Sequence, residues 1–163
     1  MNSVSIFPTQ DVAIIKSLAY EIWPKVYSTM ISAEQIEYML NWMYSIETLQ
    51  ENIDHGHQFY LYNENEVALG FMCIQPNFAP NEMKLNKLYV QADCHRKGIG
   101  RALIERAKSI AKEKQQTSIV LRVNKGNPAV DFYKNLGFEI TKLEVLDIGG
   151  GFVMDDYIMS LPI

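Results

Sequence analysis

Apolar positions in the first third of the chain recur at helical spacing. In "DVAIIKSLAYEIW" they form one stripe, which predicts an amphipathic helix capped by Thr9 and ended at Pro24. Ser32 and Gln35 form a capping box ahead of "IEYMLNWMY", and a shorter helix over "IETLQENID" should close near Gly56. From His57 the period shortens to two. "HQFYLY", the turn-like "NEN" and "VALGFMCIQ" predict an antiparallel hairpin. After a loop with Pro76 and Pro80 comes "MKLNKLYV", rich in strand formers. Its Leu85 and Leu88 stand three apart, which breaks strict alternation and predicts a β-bulge.

The helical period then returns. Ile99, Leu103, Ala107 and Ile110 share a stripe, with Arg101, Glu105, Lys108 and Lys112 on the opposite face. "SIVLRV" follows as a buried strand. In "NPAVDFYKNLGF" Asn127 is placed to cap, Pro128 to take the first helical position and Gly137 to stop the helix. "EITKLEVLDI", "GGG" and "FVMDDYIMSL" predict a closing hairpin. Helices, a hairpin, strand–helix–strand–helix and a second hairpin amount to an α+β domain around one mixed sheet. The length of 163 residues and the 48% hydrophobic content suit a single domain over 1–163.

The formal net charge of −4 disfavours general binding to nucleic acid or to anionic membranes, whose phosphates would meet a repelling surface. Cys73 and Cys94 are too few for a disulfide framework and lack metal-site spacing, so they read as reduced thiols. The start "MNSVSIFPTQ" has no basic region followed by an apolar run, and no apolar stretch approaches the ~20 residues of a membrane span. A soluble, cytoplasmic protein is expected.

Against this acidic background, "HRKGIGRALIERAKSIAKEK" (His95 to Lys114) gathers seven Lys and Arg residues against two Glu. Glycines that open a helix leave backbone N–H groups unpaired at the positive end of the dipole, where a phosphate is favoured. Gly98 and Gly100 allow close approach, and Arg96, Lys97 and Arg101 add charge. The Walker pattern fails for want of Gly-Lys-Ser/Thr, and the dinucleotide fingerprint fails at Leu103. A basic helix face that merely meets solvent would carry the same charges.

The segment "LNKLYVQADCHRKGIGRALIERA" resembles the signature of the GNAT superfamily, the acyl-CoA-dependent N-acetyltransferases, with its Gln/Arg-x-x-Gly-x-Gly/Ala pattern. "NKGNPAVDFYKNLGF" resembles the later block of that family, in which an Asn opens a helix and a Tyr precedes a Leu-Gly-Phe turn. His95 departs from the pattern, standing where Gln or Arg is usual. The resemblance implies a mostly antiparallel sheet splayed between its fourth and fifth strands and flanked by helices. It also implies an acetyl-CoA or coenzyme A site. The pantetheine arm would pair with the backbone of Leu88, Tyr89 and Val90, and the pyrophosphate would sit on residues 95 to 101: His95, Arg96, Lys97, Gly98, Ile99, Gly100 and Arg101. Asn124 and Asn127 would form the opposite wall, and Tyr133 would protonate the departing thiolate.

The activity implied is acetyl transfer to a small-molecule or peptide primary amine by direct attack in a ternary complex. A non-catalytic acyl-CoA-binding or regulatory module with the same fold is the alternative. For the base that deprotonates the amine, a water chain, Glu82 and Glu21 are the candidates. His55 and His57 in "HGH" have no third ligand nearby and read as a loop. Cys94 and His95 are adjacent, a poor placement for a nucleophile and its base. Trp23, Tyr27, Tyr38, Trp42 and Tyr44 read first as core, with some able to line the acceptor side. Asp155 and Asp156 are placed to attract a cationic amine, or simply to charge a strand edge. The C-terminal hairpin is a plausible edge for a homodimer.

Overall fold

A computed structural model of the chain describes residues 3–163; Met1 and Asn2 of the expected 1–163 domain lie outside the described residues. The elements run β1 (Val4–Thr9), α1 (Val12–Tyr27), α2 (Ala33–Met43), α3 (Ile46–Asp54), β2 (Gln58–Glu64), β3 (Val67–Ala79), β4 (Glu82–Val90), α4 (Ile99–Glu113), β5 (Ser118–Asn124), α5 (Ala129–Asn135), β6 (Glu139–Gly149) and β7 (Phe152–Pro162). One turn of 3-10 helix, Ala92–Cys94, joins β4 to the glycine turn.

The strands form one sheet in the order β1-β2-β3-β4-β5-β7-β6. All neighbours are antiparallel except β4 and β5. The parallel pairing covers only Glu82–Leu85 against Ser118–Leu121. Beyond it, β4 stays on β3 as far as Val90, and β5 stays on β7 as far as Asn124. The two strands therefore part while each keeps its outer partner. The cause is local: Cys73 pairs with Lys87 and Ile74 with Leu85, so Asn86 is an extra residue in β4. Such an insertion bends and twists its strand. It also returns Leu88 to the face of Leu85, which explains their spacing.

Two cores lie on opposite faces of the sheet. Met83, Leu85, Leu121 and Val123 pack with Ile99, Leu103 and Ala107 of α4 and with Val130 and Tyr133 of α5. Phe71, Cys73, Phe59 and Leu61 pack with Ile15, Ile22 and Trp23 of α1, Ile36 and Leu40 of α2, and Leu49 of α3.

Ends and starts differ from the sequence reading in four places, the first being that β3 runs through Pro76 to Ala79, where a loop was expected. The N-terminal strand β1 was not predicted. Its side chains are mostly exposed, and it is held by backbone pairing to β2, so it lacks a hydrophobic signature. Asp11, not Thr9, caps α1 by accepting from Ile14 N at 3.3 Å, while Thr9 Oγ1 accepts from Asp11 N. Pro24 does not end α1, which continues to Tyr27. Proline removes one N–H from the ladder, yet Trp23 and Tyr27 on either side of it are buried in the core, and that packing outweighs the loss. The Ser32 cap holds as expected, with Ser32 Oγ accepting from Gln35 N at 3.1 Å. The Cys73 and Cys94 thiols are both buried, and no described helix is long and apolar enough to cross a membrane.

Candidate functional site

The parting of β4 and β5 opens a cavity of about 890 Å³ that runs from the start of α4 through the sheet to α1 and α2. Every site residue expected from the sequence lines it except Lys97, which is exposed beside the turn.

The turn into α4 is built for an anion. Arg96 and Gly98 hold left-handed torsions, with φ of 69° and 82°. Gly98 is the N-cap and has no side chain to satisfy the first amides, and no acidic residue stands in the first turn. The first amide to find a helical partner is that of Ala102, which donates to Gly98 O at 3.0 Å. The preceding amides of Ile99, Gly100 and Arg101 point the way an anion would be received. The glycines divide the work. Gly98 supplies the torsion that few L-residues adopt, with open space around it. At Gly100 a Cβ would meet Phe132 Cζ at 3.1 Å, so this glycine sets the close approach of α4 to α5. Ile99 is buried and anchors the helix start.

His95 braces the turn. Its Nε2 lies 2.9 Å from Val90 O, and since a carbonyl only accepts, that nitrogen carries the proton. Cys94 turns elsewhere, its Sγ 3.7 Å from Asp93 Oδ1, so the adjacent thiol and imidazole do not form a catalytic pair. On the far wall Asn124 Oδ1 accepts from Gly126 N at 2.8 Å, fixing the loop after β5. Asn127 Oδ1 accepts from Ala129 N at 2.8 Å, and Pro128 already has helical torsions, so Asn127 does the capping.

Tyr133 of α5 is buried between Phe132 and Phe138, with ring centroids 5.2 and 5.5 Å away. Burial, and next the nearby Tyr27 phenol, push its hydroxyl well above the ordinary tyrosine value. It stays protonated, the form a proton donor needs.

Tyr27, one of the early aromatic residues read first as core, lines the cavity as the second part of that reading allowed. Its hydroxyl lies 2.9 Å from that of Tyr89. Burial pushes its pKa up to about 12, against the relief of hydrogen bonds to Tyr89 and Asn127. Its signal was the Trp23–Tyr27 spacing of one helical turn, which survives the proline between them because α1 continues to Tyr27.

Asp156 is the one carboxylate among the described residues lining the cavity. It is 3% exposed, sits on β7 opposite Asn124, and accepts from Arg122 Nε at 3.3 Å. Burial raises its pKa, and Arg122 opposes the rise. β7 lies inside the sheet, between β5 and β6, so Asp156 does not decorate an edge as one sequence reading had it. Asp155 points away to Lys125, with Nζ to Oδ2 at 2.7 Å. The other base candidates stand apart. Glu82 lies at the closed end of the β4–β5 pair, where its Oε2 accepts from Ser118 Oγ, and Glu21 is exposed on α1; neither lines the cavity. Of the aromatic residues, Trp23 and Tyr27 line it and Trp42 is 47% exposed; Tyr38 Oη donates to Ile148 O at 2.8 Å and ties the last hairpin to α2.

A splayed parallel pair, a glycine turn at the open end and a tyrosine on the following helix are the features that decide the family, and residues 27–154 match the model of the acetyltransferase (GNAT) domain. The chain belongs to the GNAT family. The GNAT relatives include the spermidine N(1)-acetyltransferase of Thermoplasma acidophilum, 26% identical over 152 residues, 90% of this chain and 91% of the relative. The peptidyl-lysine N-acetyltransferase YjaB of Escherichia coli is 35% identical over 89 residues, 53% of each chain, so the match spans about half the length of that relative. Among solved structures, the PaiA N-acetyltransferase of T. acidophilum in complex with coenzyme A superposes with a TM-score of 0.82 over 99% of both chains at 24% identity, a likeness of fold.

Proposed function

We propose that this GNAT protein transfers an acetyl group from acetyl-CoA to a primary amine by direct attack in a ternary complex. The observation that carries this reading is the slot itself: β4 at Leu88–Val90, paired to β3 but no longer to β5, leads to an uncapped helix start flanked by Arg96 and Arg101. An extended arm with two amides fits the strand edge, and a pyrophosphate fits the helix start. When bound, acetyl-CoA supplies an activated thioester and a thiolate leaving group.

The chain's own residues then divide the proton work. As the new C–N bond forms and the C–S bond breaks, Asp156 takes the proton released by the amine, and Tyr133 gives its phenolic proton to the departing sulfur. A buried carboxylate is a stronger base than an exposed one, because burial disfavours its charge. Arg122 keeps Asp156 oriented and limits that shift.

Calorimetry with acetyl-CoA, followed by thiol release with a panel of amines, tests the proposal. Binding and amine-dependent release of CoA are expected, and Tyr133→Phe should bind acetyl-CoA normally while losing on the order of 100-fold in kcat. Full turnover in that variant removes the role of Tyr133. Binding without turnover on any amine would leave an acyl-CoA-binding module in place of an enzyme.

A further inference from the structure

The part of the cavity beside α1 and α2 holds donors without acceptors. Lys84 and Lys87 lie on β4 on either side of the Asn86 bulge, and both line the cavity. Lys87 is 7% exposed, with its Nζ 5.5 Å from the ring centre of Tyr44 and 5.7 Å from that of Phe59. Lys84 Nζ stands 4.7 Å from the ring centre of Phe78. Among the described residues neither lysine has a carboxylate within ion-pairing distance. Trp23, also lining the cavity and 1% exposed, packs on the same Tyr44 ring with centroids 5.6 Å apart. Its Nε1–H can only donate; the buried Tyr44 hydroxyl lies close enough to feel it, but the pair falls outside good hydrogen-bond geometry, so among the described residues the N–H keeps capacity to donate. The carboxylates in reach are committed: Asp156 and Glu144 both hold Arg122, and Glu144 also meets Lys142.

Aromatic faces compensate a buried ammonium only in part, and a buried charge is costly until it is paired. Burial is the first cause that lowers both lysines below the ordinary value, and Arg122 and Lys87 add to it at Lys84. A bound anion would offset these effects by its attraction for each ammonium, as Glu144 already does in part at Lys84.

We propose that the amine acceptor also carries an anionic group, a carboxylate or a phosphate, received by Lys84, Lys87 and the Trp23 N–H while the amine faces Asp156. This rests on the acetyltransferase reading above and names its substrate class: amino acids, peptides with a nearby carboxylate, or phosphorylated amines. A polyamine would instead bring positive charge against two unneutralised lysines, which separates this chamber from one suited to spermidine.

The test measures kcat/KM with acetyl-CoA for matched amines: a free amino acid and a dipeptide against their C-terminal amides, phosphoethanolamine against ethanolamine, and spermidine. The anionic member of at least one pair should be preferred by about tenfold or more, the discrimination of one charge-assisted contact, and the pair that shows it tells carboxylate from phosphate. Lys87→Gln should reduce that ratio with acetyl-CoA affinity unchanged. Lys84→Gln, on a less buried side chain, gives the same readout should Lys87→Gln fail to fold. Turnover that ignores the anionic group, or that favours spermidine, overturns this proposal alone. Failure of acetyl-CoA to bind, or of any amine to turn over, overturns the acetyltransferase reading and this one with it.

Discussion

Asp156 and Asp155 are neighbours in sequence with opposite surroundings, one buried at the cavity wall against Arg122 and the other paired to Lys125. The sequence displays two carboxylates and gives no means of telling them apart, because adjacent strand residues point to opposite faces and only the fold decides which face of β7 is covered. If Asp156 takes the amine proton, Asp156→Asn should lower kcat about 100-fold near neutral pH. Rate should return as pH approaches ~10, where an alkylamine is increasingly deprotonated without help. Arg122 keeps its 2.6 Å partner Glu144 in the variant, so folding should survive, which a thermal melt checks. A pH–rate profile with the wild-type shape would exclude the role. Tyr133 was legible from its family block and Tyr27 from its helical spacing to Trp23, whereas Lys87 was not, because it looked like any lysine on a half-exposed strand.

At the scale of elements, the contact of α4 with α5 through Gly100 sets the width of the cofactor end. Alanine in a helix is favoured over glycine by about 0.8–1 kcal/mol, while crowding a packed side chain costs about 1–3 kcal/mol. Phe132 is half-buried and lines the cavity, so it has somewhere to go. Gly100→Ala should therefore leave the melting temperature nearly unchanged and weaken acetyl-CoA about tenfold as the ring moves into the slot. Lost stability with unaltered affinity would show that the ring stays in place. The bulge that opens the slot was legible, since Leu85 and Leu88 can share a face only if one residue is inserted between them. The first strand was not, because an exposed edge strand is held by backbone bonds, which leave little trace in side-chain pattern.

For the molecule as a whole, His57 joins the start of β2 to the slot strand, its Nδ1 3.4 Å from Asn86 Nδ2 and 3.8 Å from Cys73 Sγ. Burial, then Lys87 and Lys84, lower its pKa to about 4. The unfolded chain takes up a proton near the ordinary value of ~6.5, while the folded chain does not until about 4. This histidine's contribution is thus fully present above ~6.5 and is lost as pH falls toward 4. The wild type should lose more melting temperature than His57→Gln between pH 7 and 4.5, and parallel losses in the two proteins would show that another group governs acid sensitivity.

Periodicity and turn chemistry determined the helices, the two hairpins, the bulge and the glycine turn, because each follows from spacing within a few residues. Tertiary structure alone decided how far β4 and β5 stay paired, which of two aspartates is buried, and that Trp23, Tyr27, Lys84 and Lys87 converge on one chamber. Those outcomes depend on the meeting of segments distant along the chain. Desolvation and charge pairing, the effects that turn an ordinary lysine or aspartate into a functional group, exist only after that meeting.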